Sequence, residues 1–251
     1  MDLGLTDRTY LVTGATRGLG FATARELVAD GAHVVITGRT EESAAAAAAS
    51  LGERALGVAA DNAGPDTPDR LLAAARDRFG RLDGVLISVG GPAPGTAADN
   101  TDAQWQAAFE SVFLGAVRLA RAAAAELTEG GVIAFVLSGS VYEPIGGLTI
   151  SNGLRPGLAG FAKSLANELG PRGIRVLGVL PGRIGTDRMT QLDALSGDPE
   201  GARARNCAAI PLGRYGTPEE FGRTAAFLLS PAASYVNGVM VPVDGGARHG
   251  F

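Results

Sequence analysis

Thr13-Gly-Ala-Thr-Arg-Gly-Leu-Gly20 is a glycine-rich segment near the start of the chain. It follows the apolar residues 10–12 and opens a segment of helical character, so it predicts a phosphate-binding turn between a first strand and a first helix. Gly14 permits the tight turn, Gly18 lets the backbone approach a pyrophosphate, and Gly20 lets the helix and the strand pack closely. The Gly-x3-Gly-x-Gly spacing is looser than the usual dinucleotide pattern, so the alternative is a turn without a ligand.

Short apolar runs alternate along the chain with longer segments of helical periodicity. This alternation predicts right-handed βαβ units and an α/β fold with a parallel sheet covered by helices on both faces. No segment is typical of an interdomain linker, so we expect residues 1–251 to form a single domain. The predicted strands lie at residues 10–13, 33–37, 55–60, 84–88, 132–137, 174–180 and 239–243.

The composition excludes several classes of function. Hydrophobic residues make up 46% of the 251 residues, and a net charge of -4 without a basic cluster argues against a nucleic-acid partner. Cys207 is the single cysteine, so an intrachain disulfide or a cysteine-based zinc site is excluded, and a reducing compartment is expected. The chain has neither a signal-peptide pattern nor an apolar run of about 18 residues, so we expect a cytoplasmic protein without a membrane partner.

Residues 187–208 differ from the rest of the chain because they lose the apolar period directly after a predicted strand. Polar and small residues replace it. A segment at this position is expected to be a lid over a substrate, and the alternative is a mobile surface insertion.

Several further motifs share one family pattern. They are Thr13-Gly-Ala-Thr-Arg-Gly-Leu-Gly20, Asp61, Pro181-Gly-Arg-Ile-Gly-Thr186, Pro211-Leu-Gly-Arg-Tyr-Gly-Thr-Pro-Glu-Glu220 and Val243-Asp-Gly-Gly246. With these motifs in this order across residues 6–246, the chain resembles the short-chain dehydrogenase/reductase family. The resemblance implies a Rossmann-type, doubly wound sheet of seven parallel strands, an NAD(P) cofactor and, usually, a tetramer.

The charge at the end of the second predicted strand indicates which cofactor is used. An acidic residue there binds the ribose of NAD, whereas basic residues accommodate the 2′-phosphate of NADP. The strand ends in Gly38-Arg39, and Arg17 projects from the phosphate turn, so two guanidinium groups favour NADP(H). The alternative is that Arg39 is merely solvated, and Glu41 and Glu42 count mildly against NADP(H).

The resemblance assigns the remaining cofactor contacts. Asp61 and Asn62 border the adenine, Ser88-Val-Gly-Gly91 replaces the Asn-Asn-Ala-Gly motif, and the string Asp61-Asn-Ala-Gly64 is a decoy because it follows the third strand. The segment after the sixth strand holds the nicotinamide carboxamide. The implied cofactor-binding residues are Gly14, Thr16, Arg17, Gly18, Leu19, Gly20, Arg39, Asp61, Asn62, Val89, Gly90, Arg155, Pro181, Gly182, Ile184 and Thr186.

The catalytic centre departs from the family pattern. Relatives carry a Ser after the fifth strand, a Tyr thirteen residues later, a Lys four residues beyond, and a supporting Asn. The corresponding residues here are Ser138, Ser151, Arg155 and Val112. Ser138 is the expected electrophilic hydroxyl, and Ser140 is the alternative if the alignment has a small gap.

These replacements remove the usual proton donor, because neither a serine hydroxyl nor an arginine is a useful acid near neutral pH. Arg155 is expected to hold the nicotinamide ribose and to stabilise negative charge. Tyr142 is a candidate acid, or simply a hydrophobic wall of the pocket. Pro156 either kinks the helix that carries Ser151 and Arg155 or is its first residue, in which case both residues lie on a loop.

Together these observations predict an NADPH-dependent reductase of a carbonyl or conjugated carbonyl in a small organic molecule, with a nonstandard centre. The alternatives are an enzyme of the same fold that catalyses isomerisation, elimination or cyclisation, and a catalytically silent NADP-binding subunit. The segment 104–127 and the helix after Pro156 carry many small and apolar residues, as in family members that pair through these helices, so the resemblance implies a homotetramer. The C-terminal residues 247–251 would then lie near a neighbour's site.

Overall fold

The computed structural model describes residues 2–250, and its centre is one parallel seven-stranded sheet with the strand order β3-β2-β1-β4-β5-β6-β7. The predicted α/β, Rossmann-type doubly wound fold is confirmed, and each strand begins and ends within one residue of its predicted bounds. Phe251, in the predicted C-terminal contact, lies outside the described residues. The strands are β1 (Thr9–Val12), β2 (His33–Gly38), β3 (Ala55–Ala59), β4 (Gly84–Ile87), β5 (Val132–Val136), β6 (Arg175–Pro181) and β7 (Met240–Val243).

Helices cover both faces of the sheet. They are α1 (Gly18–Ala29), α2 (Glu41–Leu51), α3 (Thr67–Phe79), α4 (Asp102–Ala108), α5 (Gly115–Glu126), α6 (Thr149–Leu169), α7 (Asp187–Ala194), α8 (Pro199–Ala208) and α9 (Pro218–Leu229). A π-helical stretch, Phe109–Leu114, joins α4 to α5. None of the helices in residues 2–250 has the length and apolar character needed to cross a membrane.

Alternating residues of each strand pack into two separate cores. Leu11 and Phe135 point toward α3, α5 and α6, whereas Val12 and Val136 point toward α1, α2 and α9. The strands are apolar on both faces because both faces are covered, which explains why they appear in the sequence as continuous apolar runs.

Helix α6 is continuous through Pro156. It begins at Thr149, so the alternative that Pro156 is its first residue is wrong, and Ser151 and Arg155 both lie on the helix. Proline has no N–H, so the carbonyl of Asn152 loses its partner one turn earlier, but the helix is buried on both sides of this position and its packing maintains it.

Candidate active site

The phosphate turn lies at the carboxyl ends of β1, β2 and β4. Gly14 has a φ of +57°, and a Cβ atom there would lie 2.6 Å from the Ser88 carbonyl oxygen. The Gly14 N–H donates to Thr37 Oγ1 over 3.0 Å, which fixes the turn to β2. A Cβ on Gly20 would lie 2.8 Å from the Gly14 oxygen, so this glycine is required where α1 packs against the turn.

The N-terminus of α1 is open to an anion. Its N-cap residue, Arg17, has extended backbone and makes no side-chain cap, so the first N–H groups of the helix lack that acceptor. Gly18 follows with a φ of +59°, and the nearest atom to the Cβ it lacks is Thr186 Cγ2, at 3.7 Å. The turn and Thr186 therefore flank an opening that suits a pyrophosphate.

The end of β2 is closely packed. A Cβ on Gly38 would lie 2.4 Å from Thr16 Cγ2, so a larger residue there requires the Thr16 side chain to move. Arg39 is exposed next to it. Arg17 does not lie free, because its Nη1 pairs with Asp187 Oδ2 on α7 at 3.1 Å, with both side chains about two-thirds exposed or more.

Asp61 closes a turn after β3, where the sequence places the edge of an adenine site. Its Oδ1 accepts from the Ala63 N–H over 3.0 Å, and the Gly64 N–H donates to the Asp61 carbonyl over 3.0 Å. This turn also accounts for the local Asp-Asn-Ala-Gly string. Its glycine serves the β3–α3 connection, well before the loop that follows β4.

The loops after β4 and β6 complete the cleft. A Cβ on Gly90 would meet no atom within 4 Å, so the loop after β4 has open space beside it. After β6, a Cβ on Gly182 would lie 2.5 Å from Asp244 Cβ, and Gly185 donates to the Gly216 carbonyl over 2.8 Å. These contacts rigidly shape the segment before α7. The glycine turn, the open helix end and this space fit a dinucleotide cofactor.

Three serines meet between β5 and α6. Ser140 and Ser151 are buried, and their Oγ atoms lie 3.2 Å apart. Ser138, which is less buried, caps a short 3₁₀ turn by accepting from the Ser140 N–H over 3.1 Å. Ser140 is therefore the direct neighbour of Ser151, and Ser138 keeps its hydroxyl hydrogen available for a ligand.

Arg155 lies one turn after Ser151 on α6 and is buried with 5% of its surface exposed. Its Nη1 donates to the Val136 carbonyl at the end of β5, and its Nη2 donates to the Val89 carbonyl after β4 over 3.2 Å. Its Nε has no partner within residues 2–250. Burial lowers the pKa of Arg155 to about 10, so the guanidinium remains charged at neutral pH.

Two other predicted positions have different surroundings. The Tyr142 hydroxyl donates to the Met240 carbonyl over 2.9 Å, and the Arg248 guanidinium lies 3.5 Å from its ring centroid. The hydroxyl hydrogen of Tyr142 is therefore already held in a hydrogen bond, whereas a catalytic acid must transfer this hydrogen to the substrate. Val112 lies in the π-helical stretch and packs against Ile150, so the position of the family Asn is apolar here.

Residues 187–208 form the helices α7 and α8, and a buried carboxylate joins them. Tyr215 donates its hydroxyl to Asp193, whose two oxygens are each 3.0 Å away. Asn206 Nδ2 on α8 donates to Asp193 Oδ1 over 3.1 Å, and Arg183 Nη1 lies 3.7 Å from the same oxygen. The segment is thus tied to the loop after β6.

Sequence reasoning missed one cation at the cleft. Arg188 in the first turn of α7 donates from Nη2 to the Pro92 carbonyl over 2.8 Å, across the loop that follows β4. Its Nε and Nη2 lie 3.1 Å from the position of a Cβ on Gly91. One sequence feature could have indicated this residue. It is an arginine at the start of the segment that loses its apolar period, directly after the predicted nicotinamide segment.

Comparisons with known proteins agree with this geometry. Residues 14–248 match the sequence model of a family described as enoyl-(acyl carrier protein) reductase. The chain is 38% identical over 255 residues to an L-rhamnose 1-dehydrogenase (NAD(P)(+)) of Azotobacter vinelandii, covering 96% of this chain and 97% of that one. It is 35% identical over 238 residues to the 3-oxoacyl-[acyl-carrier-protein] reductase FabG of Escherichia coli, covering 94% and 95%.

A solved structure matches the whole chain. L-sorbose reductase from Gluconobacter frateurii, complexed with NADPH and L-sorbose, superposes with a TM-score of 0.94 at 31% identity and covers 100% of both chains.

Proposed function

Because the chain belongs to the short-chain dehydrogenase/reductase family, we propose that it is an NADPH-dependent reductase of a carbonyl or conjugated carbonyl (enone) in a small organic molecule. One observation carries the proposal of a nonstandard centre. Arg155 is a buried cation one helical turn after the buried Ser151, at the positions where the family pattern has Lys and Tyr. The chain keeps a fixed positive charge there and lacks the usual acid.

The preference for NADPH rests on the end of β2. Gly38 carries no acidic side chain and packs closely against Thr16, and Arg39 is exposed beside the N-terminus of α2. Arg17 joins it when the 2′-phosphate replaces Asp187 as its partner. The L-sorbose reductase with which the chain superposes was crystallised with NADPH, which supports the same choice.

The chain's own residues would stabilise the anion formed during reduction. When bound, the nicotinamide supplies a hydride to the substrate. Ser138 donates a hydrogen bond to the substrate oxygen, and the charge of Arg155 favours the oxyanion in a poorly hydrated site. The two backbone carbonyls that accept from Arg155 hold its guanidinium in place, so the charge does not have to reorient as negative charge develops.

The proton source is a separate problem in this site. Ser151 shares a hydrogen bond with Ser140 and is too weak an acid, and Arg155 does not give up its proton near neutral pH. Water is therefore the proposed donor. A substrate that yields a delocalised enolate fits best, because such an anion is stable enough to persist until solvent protonates it.

The test is NADPH oxidation against a panel of aldehydes, ketones and enones, with mass analysis of every product. Stoichiometric consumption of NADPH with a product two hydrogens heavier supports the proposal. A product of unchanged mass without NADPH consumption would instead indicate isomerisation or cyclisation, and loss of a small molecule would indicate elimination. NADPH binding without turnover of any compound would indicate a silent binding subunit.

The remaining proposals concern organisation. We propose a single domain, with residues 187–208 as a substrate lid, because the Asp193 contacts hold α7 and α8 over the loop after β6. We also propose a cytoplasmic homotetramer that pairs through α4, α5 and α6. Phe109 in this region is 42% exposed and stacks on Phe113 with ring centroids 5.3 Å apart, so it offers an apolar contact surface.

A further inference from the structure

The loop after β4 carries a guanidinium group at each end. Arg155 donates to the carbonyl of Val89, and Arg188 donates to the carbonyl of Pro92. Three residues of extended chain span at most about 10 Å, which is the upper limit for the distance between these two anchor points. Gly90 lies between them and has open space on the side where a Cβ would stand. Both cations therefore contact the same short loop, in which Gly90 faces open space.

Neither cation has an acidic partner within residues 2–250. Asp193 lies beside Arg183, and Asp187 pairs with Arg17 when no cofactor is bound. Asp187 does not become a partner of Arg188 when Arg17 turns to the 2′-phosphate, because successive residues of a helix do not face each other. Burial lowers the pKa of both Arg155 and Arg188, as expected for charges that are desolvated and not compensated. Arg155 is buried and Arg188 is half-buried, so an anionic ligand would supply the negative charge that both lack in the described part of the chain.

The backbone contacts of Arg188 fix the guanidinium rather than neutralise it. Its Nη2 uses one hydrogen for Pro92, and its plane lies against Gly91, where any larger side chain would collide with it. The remaining N–H groups are free of any hydrogen-bond partner in the described part of the chain, and a planar guanidinium suits an oxyanion.

We propose that Arg188 binds a carboxylate of the substrate, so that the compound reduced is an oxo acid or a conjugated oxo acid. This inference rests on the reductase function proposed above. The charges then balance, because Arg188 pairs with the carboxylate and Arg155 pairs with the oxyanion that forms at the reacting carbonyl. A dianionic phosphate ester would leave one negative charge uncompensated at Arg188, which favours the carboxylate.

Binding of small carboxylates to the NADPH complex tests the site without requiring turnover. A series from acetate to benzoate is titrated while the fluorescence of bound NADPH is followed, with benzyl alcohol as the neutral probe and phenyl phosphate as the dianionic one. Arg188→Gln should weaken benzoate binding on the order of 10- to 100-fold, with benzyl alcohol unchanged. Arg188→Lys should restore part of the affinity.

The matched control is Arg223→Gln, because Arg223 lies on α9, outside the proposed lid, is 70% exposed and already pairs with Glu26. It should leave benzoate binding unchanged. Melting temperatures of the three variants, compared with the wild type, show whether each is folded. The proposal is overturned if no carboxylate of the series binds the wild-type complex, or if phenyl phosphate binds more tightly than benzoate.

Calorimetric titration of NADPH distinguishes a role of Arg188 in substrate binding from a role in cofactor binding. Equal loss of NADPH affinity in Arg188→Gln would overturn the inference, since the residue would then serve the cofactor phosphates. The turnover assay compares a 2-oxo acid with its methyl ester. The protein could bind benzoate in preference to the other probes and yet reduce no carbonyl compound. That result would contradict the proposed function but would still support the carboxylate site.

Discussion

If Arg155 stands where the family has Lys, as proposed, the difference is more than the size of a cation. A guanidinium presents donors in a planar fork, and here two of its nitrogens reach the carbonyls of Val136 and Val89 at the ends of neighbouring strands. The charge is therefore fixed to the sheet itself. The guanidinium of Arg155 is thus a fixed part of the cleft, and the position of its charge does not depend on a flexible side chain.

Removing either proposed stabiliser of the oxyanion should slow turnover. Ser138→Ala and Arg155→Ala are each expected to lower kcat on the order of 10²-fold, as for loss of one oxyanion donor. Ser151→Ala should do much less, because Ser151 contacts Ser140 and is not the proposed donor. Stopped-flow measurement of hydride transfer checks this. An inactive Ser151→Ala variant beside a nearly normal Arg155→Ala variant would contradict the mechanism.

The pH dependence of turnover should report the Arg155 cation. Its pKa is lowered by burial to about 10, and the charged form is the active one, so the rate should be constant through neutral pH and fall as pH rises through about 10. A tyrosine acid is not part of the mechanism, so no other alkaline loss is expected. A kcat profile from about pH 6 to about pH 11 tests it. Loss of activity with a midpoint near neutrality would require another group.

The choice of cofactor should depend chiefly on Arg39. An exposed ion pair such as Arg17–Asp187 contributes only about 0–1 kcal/mol, whereas a charge-assisted hydrogen bond to a phosphate contributes about 1.5–3 kcal/mol. The 2′-phosphate should therefore displace Asp187 from Arg17. Arg39→Ala should weaken NADPH by about 10- to 100-fold and leave NADH unchanged. Calorimetry with both cofactors decides this, and an unchanged preference for NADPH would refute it.

At the scale of elements, the carboxylate of Asp193 determines how α7 and α8 are held. It is buried and accepts from Tyr215 and Asn206, so its removal leaves the buried Tyr215 hydroxyl without its acceptor and removes the direct hydrogen bond between α7 and α8. Asp193→Ala should therefore raise KM and speed proteolysis between α7 and α8, with a smaller effect on kcat. Limited proteolysis beside steady-state kinetics measures both. Equal proteolysis of wild type and variant would show that the lid is held by other contacts.

At the scale of the whole molecule, the sequence determines the sheet better than the site. The seven strands were predictable because each is buried on both faces and so appears as an apolar run. The partners of Arg155 were not, because Val89 lies 66 residues away and contact depends on how far the side chain reaches. Arg188 meets Pro92 across 96 residues for the same reason, and the direction of the Tyr142 hydroxyl follows from the placement of β7.

Assembly is the remaining property of the whole molecule that can be tested directly. Helix α6 carries Gly153 and Gly157, whose missing Cβ atoms leave room for Trp105 and Phe113, so α4, the π-helical stretch and α6 pack as one unit. Phe109 stacks on Phe113 and remains 42% exposed, so it offers an apolar contact that another copy could cover.

Phe109→Glu should therefore convert a homotetramer into smaller species, because it introduces a charge into the proposed apolar contact. Leu195→Glu is the control, since Leu195 is 67% exposed at the end of α7, outside the helices proposed to pair. Light scattering at micromolar concentration measures both. A monomeric wild type would contradict the assembly, and a tetramer that survives Phe109→Glu but dissociates in Leu195→Glu would move the contact to the lid. Because a lid at an interface would couple substrate entry to assembly, that second outcome would also make KM depend on protein concentration.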